Sequence, residues 1–286
     1  MTSTTQPFVN SLICPVCKGK IEYTDDMISC LSCHSQFPQP KKEYINLLPH
    51  EAINKKEGNW QERQQEMELW YKDLLTDINS AVSLFKHDYA PFSDYFAKLS
   101  GNILDLGGGV GVVRHYLPEN CNYIVVDPST DWLSSDWNLL SKSYPCLAEK
   151  PNFIMGVGEF LMFNDNSFDS VLAFWSINHV NDPLKVFKEV QRVLKPGGKF
   201  LVVFEDMEPW WSDFLSSSMR RQFEQERLKE MIDQKIKSSL LGNKWPVQAD
   251  HIFITDKDIK EWINNRFEKI NRQWIGTYLT YEFKKN

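Results

Sequence analysis

"NILDLGGGVG", residues 102–111, places four glycines in five positions directly behind an apolar run that contains one acid, Asp105. Glycine weakens helix and strand interiors, so its clustering marks a turn that needs positive φ or close approach to the backbone. The flanks "NILDL" and "VVRHYL" read as a strand over 102–106 and a helix from about Val110. In a parallel α/β sheet, ligands bind at the carboxyl ends of the strands, where this turn lies. The next apolar strand, "NYIVVDPST", ends in Asp127, twenty residues after Gly107. A carboxylate there is positioned to bond both hydroxyls of a ribose, with Pro128 beside it.

A glycine turn of this kind serves dinucleotides as well as S-adenosylmethionine. Two details favour the latter. The spacing is G-x-G-x-G (Gly107, Gly109, Gly111) and not G-x-G-x-x-G, and Asp105 precedes the first glycine by two residues. A carboxylate suits the ammonium of a methionine moiety better than a pyrophosphate. Downstream, "PNFIMGVGEFLMFNDNSFDSVLAFWSINHVNDPLKVFKEVQRVLKPGGKFLVV" gives a third strand, a loop, a fourth strand, a helix, a "KPGG" turn and a fifth strand. With "ILDLGGGVG" and "VVDPS", this order resembles class I S-adenosylmethionine-dependent methyltransferases over residues 102–206. The resemblance implies a doubly wound, seven-stranded, mostly parallel α/β sheet, closed by "FEKINRQWIGTYLTYEFKKN" as an antiparallel hairpin. It also implies that Gly107 and Gly109 pass the methionine part of the cofactor, that Asp127 grips the ribose, and that the loop 156–160 faces adenine. Val157 stands where many members carry an acid, which leaves the adenine contact to Glu159 and the backbone of Gly158 or Phe160.

Four of the six cysteines form "CPVCKGKIEYTDDMISCLSC", a C-x2-C pair, twelve residues, and a second C-x2-C pair. The intervening segment reads as a hairpin that brings Cys14, Cys17, Cys30 and Cys33 onto one tetrahedral structural Zn2+. Residues 11–50 resemble the zinc ribbon that precedes the methyltransferase domain of ribosomal-RNA guanine methyltransferases. Residues 1–50, however, carry four lysines against four acids (Glu22, Asp25, Asp26, Glu43), and the whole chain of 286 residues has a net charge of -6. A protein that grips nucleic acid usually shows a basic face. A small-molecule acceptor, such as a secondary metabolite or a sugar methylated at oxygen or nitrogen, is therefore expected ahead of ribosomal RNA. A non-catalytic partner protein that keeps the fold is the remaining alternative. The N-terminus lacks the basic-then-apolar pattern of a signal peptide, and no stretch has the length and apolarity of a membrane span, so a cytoplasmic protein with no membrane contact is expected.

The organisation that follows is a ribbon (1–50), a helical cover (51–100) and a methyltransferase domain (101–286) with a helical insertion at about 208–249. In the cover, Leu74, Ile78, Val82 and Phe85 recur at helical spacing, and Trp70 or Tyr71 is placed to lie over a cofactor. Methyl transfer from a sulfonium releases a neutral leaving group, so a base is needed only if the acceptor loses a proton. The residues proposed for that role are His179, in "FWSINHV" after the fourth strand, and His251, in "DHIFITDKDI". Phe174 and Trp175 are expected to line the methyl-transfer channel. The insertion reads as a lid on Phe214, Met219, Phe223 and Leu228, or as a stripe that packs on the sheet, with Trp210, Trp211 and Trp245 expected to frame an aromatic pocket and Arg220 and Arg221 to meet an anionic substrate or to face water. No Asn- or Asp-Pro-Pro-aromatic box follows the fourth strand, which disfavours methylation of exocyclic base amines.

Overall fold

The parallel runs 102–106, 122–127, 152–155 and 168–174 are buried along almost their whole length, as parallel strands covered on both faces must be. A computed structural model of the chain describes residues 11–40, 44–53, 60–205, 207, 209–215, 225–242, 251–275 and 278–286. Met219, Arg220, Arg221, Phe223, Trp245 and the Tyr71 side chain lie outside the described residues. Three short strands, β1 (Ile21–Tyr23), β2 (Met27–Cys30) and β3 (Gln36–Pro38), form a small antiparallel sheet. The large sheet is built from β4 (Ile45–Asn46), β5 (Asn102–Leu106), β6 (Asn122–Asp127), β7 (Asn152–Met155), β8 (Phe168–Phe174), β9 (Leu194–Phe204), β10 (Phe267–Ile275) and β11 (Tyr278–Lys285). Its order is β10-β11-β9-β8-β5-β6-β7-β4, parallel except at the β10–β11 hairpin and where β11 meets β9.

Side chains of successive residues point to opposite faces of a strand, and the two cores follow that alternation. Leu104, Ile124, Val126, Val171 and Val202 enter one cluster, and Ile103, Val125, Leu172, Leu201 and Val203 enter the other. The second face is covered by helix Ile78–Tyr89 through Ala81, Phe85 and Tyr89, and by Phe92, Phe96 and Trp132. The first is covered by helix Pro183–Val193 and helix Asp256–Ile263. The latter helix opens on a capping box between Thr255 and Asp258.

The cysteine-bearing segment shares this first core. Leu12, Cys14, Ile28, Cys30, Phe37 and Leu47 pack in one cluster with Leu161, Met162 and Phe163. Ile13 N–H bonds the Met162 carbonyl at 2.8 Å, and Lys18 Nζ donates to the Leu161 carbonyl at 3.0 Å and to Glu189 Oε2 at 2.5 Å. Arg192 meets the same Glu189 through Nε and Nη2, both at 2.9 Å.

Four features depart from the sequence reading. The sheet has eight strands and not seven, because Ile45–Asn46, within the first fifty residues, adds in parallel to β7. The expected helix after the glycine turn is a 3-10 segment, Val112–Tyr116, ended where Pro118 forces Leu117 to extended geometry. The cover is two helices, Trp60–Thr76 and Ile78–Tyr89, divided at Asp77, whose carboxylate caps the second by accepting from Asn79 N–H. The "KPGG" residues form no separate turn: two steps along β8 match five along β9, so the extra residues loop out as a bulge within the strand.

The lysine–glutamate–arginine group fastens the cysteine-bearing segment to helix Pro183–Val193. Glu189→Ala leaves two partly buried cations without their shared carboxylate and is expected to lower stability by about 2–3 kcal/mol. The readout is the urea midpoint at unchanged slope; a loss below about 0.5 kcal/mol would show that apolar packing alone holds the segment.

Candidate functional site

Gly107 directly follows β5 at φ +73, with its N–H bonded to the Val126 carbonyl at 2.8 Å. A Cβ added there would sit 2.6 Å from Ser176 Cβ, so the close approach of the two strand tips requires glycine. Asp127 ends β6 next to it. Its Oδ2 accepts from Gly109 N–H at 3.1 Å and its Oδ1 from Ser129 N–H at 2.8 Å. A carboxylate oxygen has two acceptor directions, so each oxygen retains one for a ligand. Burial pushes the Asp127 carboxyl up to about 6, which leaves it ionised at neutral pH.

These tips open onto a cavity of about 570 Å3, within the roughly 300–1,000 Å3 usual for small-molecule sites. Gly107, Asp127, Pro128, Gly158, Glu159 and Phe174, each singled out in the sequence, line it. So do His179 and His251, which the fold brings together: their ring centroids are 4.5 Å apart, edge to face. Between them stands Glu205, at the tip of β9, with Oε2 2.8 Å from His179 Nε2 and 3.1 Å from His251 Nε2. Trp70, Phe85 and Tyr89 cover the cavity from the helices before β5, while Met231, Trp274 and Tyr278 close it from the C-terminal half.

Several expected roles are not what the geometry gives. Asp105 is not part of the cavity wall. It lies beneath the turn, where its carboxyl accepts from the Tyr123 hydroxyl and where a Cβ on Gly108 would meet it at 2.7 Å. Burial pushes its carboxyl up to about 7. Gly109 and Gly111 likewise do not line the cavity; Gly109 holds Asp127, and Gly111, at φ +75, packs against Pro151 and Tyr123. Glu159 Oε1 accepts the N–H groups of Asn181 at 2.8 Å and Asp182 at 3.3 Å, so this oxygen organises the start of helix Pro183–Val193 while the residue also lines the cavity. Phe160 packs with Val157 and Ala52, under the Lys185 ammonium at 3.1 Å from its centroid. Trp210 and Trp211 are not among the described residues that line this cavity. Trp210 stacks on the Arg272 guanidinium at 3.7 Å, and Arg272 pairs bidentately with Asp213 at 2.7 and 2.8 Å.

Sequence reading passed over Glu205, Ser176, Trp274 and Tyr278. Glu205 had a signal, since it is an acid directly following β9, as Asp127 is an acid at the end of β6. Trp175, expected in the channel, has a backbone feature that sequence could not show. It sits at φ +53, an outlier for so bulky a residue, held between Tyr89, Phe174 and Tyr278 at centroid distances of 4.9–5.4 Å. Its buried indole N–H and the buried Ser176 hydroxyl have no hydrogen-bond partner among the described residues, and both residues line the cavity.

The donor set fits S-adenosylmethionine better than a dinucleotide. Asp88, Asp127, Glu159 and Glu205 line the cavity, and no lysine or arginine does among the described residues. The glycine turn leads into a short 3-10 segment and not an α-helix N-terminus, so the usual pyrophosphate seat is missing. An acid-lined wall with orphaned polar atoms beside Gly107 suits a cationic ligand bearing a ribose.

The amino-terminal cysteines also converge. Cys14 and Cys33 Sγ are 3.6 Å apart, Cys17 and Cys30 Sγ 3.4 Å, and all four lie within 4.8 Å of one another. The residue after each C-x2-C pair, Lys18 and His34, has φ of +64 and +61, and its N–H returns to the carbonyl of the first cysteine of its pair. The two pairs thus form the same knuckle twice, a geometry suited to tetrahedral thiolate coordination with bonds of about 2.3 Å.

Part of the chain is similar to known proteins. Residues 104–202 match the family model described as a methyltransferase domain. The ubiquinone/menaquinone biosynthesis C-methyltransferase UbiE of Rickettsia prowazekii is 34% identical over 137 residues, 45% of this chain and 54% of that protein. A thiol S-methyltransferase of Mus musculus is 34% identical over 102 residues, 35% of this chain and 41% of that protein. The chain thus spans about half, or less, of the length of these relatives. The crystal structure of PH0226 from Pyrococcus horikoshii OT3 is 23% identical, with a TM-score of 0.47 over 72% of this chain and 92% of that one. Residues 104–202 are a methyltransferase domain of the class I, S-adenosylmethionine-dependent kind.

Proposed function

We propose that the protein transfers the methyl group of S-adenosylmethionine to a small, neutral acceptor held between the cofactor cradle and the His179–Glu205–His251 wall. The observation that carries this reading is the cavity itself. It joins the Asp127 carboxylate at one side to the paired imidazoles at the other, and no lysine or arginine among the described residues enters its wall. An anionic acceptor finds no lysine or arginine there. Lys18, in the cysteine-bearing segment, is turned inward onto Glu189 and is not presented to a phosphate backbone. Both features weigh against an RNA acceptor. Relatives named for C- and thiol S-methylation agree with a small acceptor.

The cofactor supplies an electrophilic methyl whose leaving group departs neutral, so no general acid is required. The chain's own tasks are orientation and exclusion of water. Asp127 would accept the ribose hydroxyls through its two remaining lone-pair directions. Gly107 lets the backbone approach the methionine portion, with the Ser176 hydroxyl and Trp175 indole N–H beside it. Phe174, Trp175 and Tyr89 form the dry aromatic wall. A proton lost by the acceptor has its nearest basic group in the His179–Glu205–His251 cluster. The helices around Trp70 and Met231 act as covers. Cys14, Cys17, Cys30 and Cys33 would hold Zn2+ as a closed structural site that stiffens the segment packed under β7 and β8.

Two outcomes test this reading. Hydroxyl donors bind the ionised form of Asp127, whose carboxyl is raised by burial, so protonation opposes cofactor binding. Affinity measured by calorimetry should be flat above about pH 7 and fall toward tenfold per unit below about pH 6. Asp127→Asn should weaken binding about 10–100-fold at neutral pH and flatten the acid limb; tight binding by that variant at all pH values would contradict the ribose assignment. Removing zinc with a chelator should lower the melting midpoint of the whole chain in one transition, because Cys14 and Cys30 belong to the same core as Met162 and Phe163. An unaltered midpoint, or a separate early transition, would contradict it.

A further inference from the structure

His179, Glu205 and His251 come from three separate segments, yet a single residue ties them. Asn178, fully buried, donates from Nδ2 to the Ile252 carbonyl at 3.1 Å, accepts at Oδ1 from Glu205 N–H at 3.1 Å, and accepts at its own carbonyl from Ile252 N–H at 2.8 Å. The turn Ile177–His179, the end of β9 and the segment entering helix Asp256–Ile263 are thereby fixed to one another. A supporting residue that locks the backbones on which two imidazoles and a carboxylate sit is the arrangement metal sites use to preorganise their ligands.

The spacing is that of ligands on one ion. Bonds of about 2.0–2.2 Å at angles between octahedral and tetrahedral place neighbouring donor atoms roughly 2.8–3.6 Å apart. Both imidazole Nε2 atoms stand near this separation from the same oxygen, at 2.8 and 3.1 Å, and all three ligand atoms lie within 4.8 Å of one another. The two imidazoles are shielded from bulk water, at 13% exposed for His179 and 4% for His251, while the Glu205 side chain, 29% exposed, is the most open of the three. All three border the cavity. The surrounding charge points the same way, since the cavity wall carries four carboxylates and neither lysine nor arginine among the described residues.

We propose that His179, Glu205 and His251 bind a divalent ion of the Zn2+ or Fe2+ class in the acceptor half of the cavity. Two imidazoles and one carboxylate suit borderline ions over Mg2+ or Ca2+, which prefer all-oxygen shells. Three protein ligands leave coordination positions open toward the cavity, where an acceptor oxygen or sulfur can become a ligand and bind as its anion. This deepens the proposed acceptor reading, but its test reads metal and not methyl transfer, so the two can fail separately.

The experiment is titration of the metal-stripped chain with Co2+, followed by visible absorption and by elemental analysis after removal of free ion. Wild type should take up about two equivalents, one with thiolate charge-transfer bands and one without them. Glu205→Gln and His251→Asn should each take up about one, losing the component without thiolate bands. The thiolate bands of Cys14, Cys17, Cys30 and Cys33, which neither substitution touches, report that the variants are folded. Equal uptake and superimposable spectra in wild type and both folded variants would overturn the proposal and leave the cluster as a carboxylate hydrogen-bonded by two imidazoles.

Discussion

The arrangement of the site depends on keeping the Asp127 carboxylate at the buried end of a strand. Removing a carboxylate from water opposes ionisation, and the raised Asp127 carboxyl shows that burial outweighs its two backbone hydrogen bonds. Those bonds are the reason for the local architecture. Gly109 N–H can reach Asp127 because the glycine turn folds back over the tip of β6, and Ser129 N–H reaches it because the chain turns immediately after Pro128. Gly107 then permits β5 and the Ser176 turn to approach. The same carboxylate that is unfavourable in an apolar setting becomes useful when hydroxyl donors and a cation approach it.

The second constraint is the shared core. The cysteine-bearing segment covers the same face of the sheet as helix Pro183–Val193, and its Ile45–Asn46 strand extends that sheet beyond β7. It stands next to residues 161–163, which follow the 3-10 turn Gly158–Phe160 at the cavity edge. The segment therefore supports the scaffold under the cofactor cradle. On the opposite side, the Asp213–Arg272 pair, with Tyr281 bonded both to Arg272 and to Asp256, ties the region after β9 to the closing hairpin. The cavity lies between these two anchored regions.

Much of this was legible in sequence where the signal is local. The strand–glycine turn–strand order and Asp127 are set by neighbouring residues, and so are the repeated C-x2-C pairs. His179 and His251 could be singled out one at a time, but no periodicity relates them, because their meeting depends on Asn178 joining segments distant in the chain. Asp105 misled for a different reason. It alternates with Leu104 and Leu106 and so points, with Ile103, toward the face where Tyr123 offers a hydroxyl; the acid is held by that face and not by the strand's end. Ile45–Asn46 is too short for a two-residue period to declare a strand. Asp77, followed by Asn79 and Ser80, carried a readable cap signal that the longer helical stripe overrode.

The most direct measurement is a crystal structure of the chain with S-adenosylhomocysteine. The account predicts the ribose hydroxyls on Asp127, the amino acid portion beside Gly107 and Ser176, and the sulfur facing His179, Glu205 and His251 across open space. A ligand bound elsewhere, or a cavity in which Asp127 makes no contact with the ribose, would contradict the central claim.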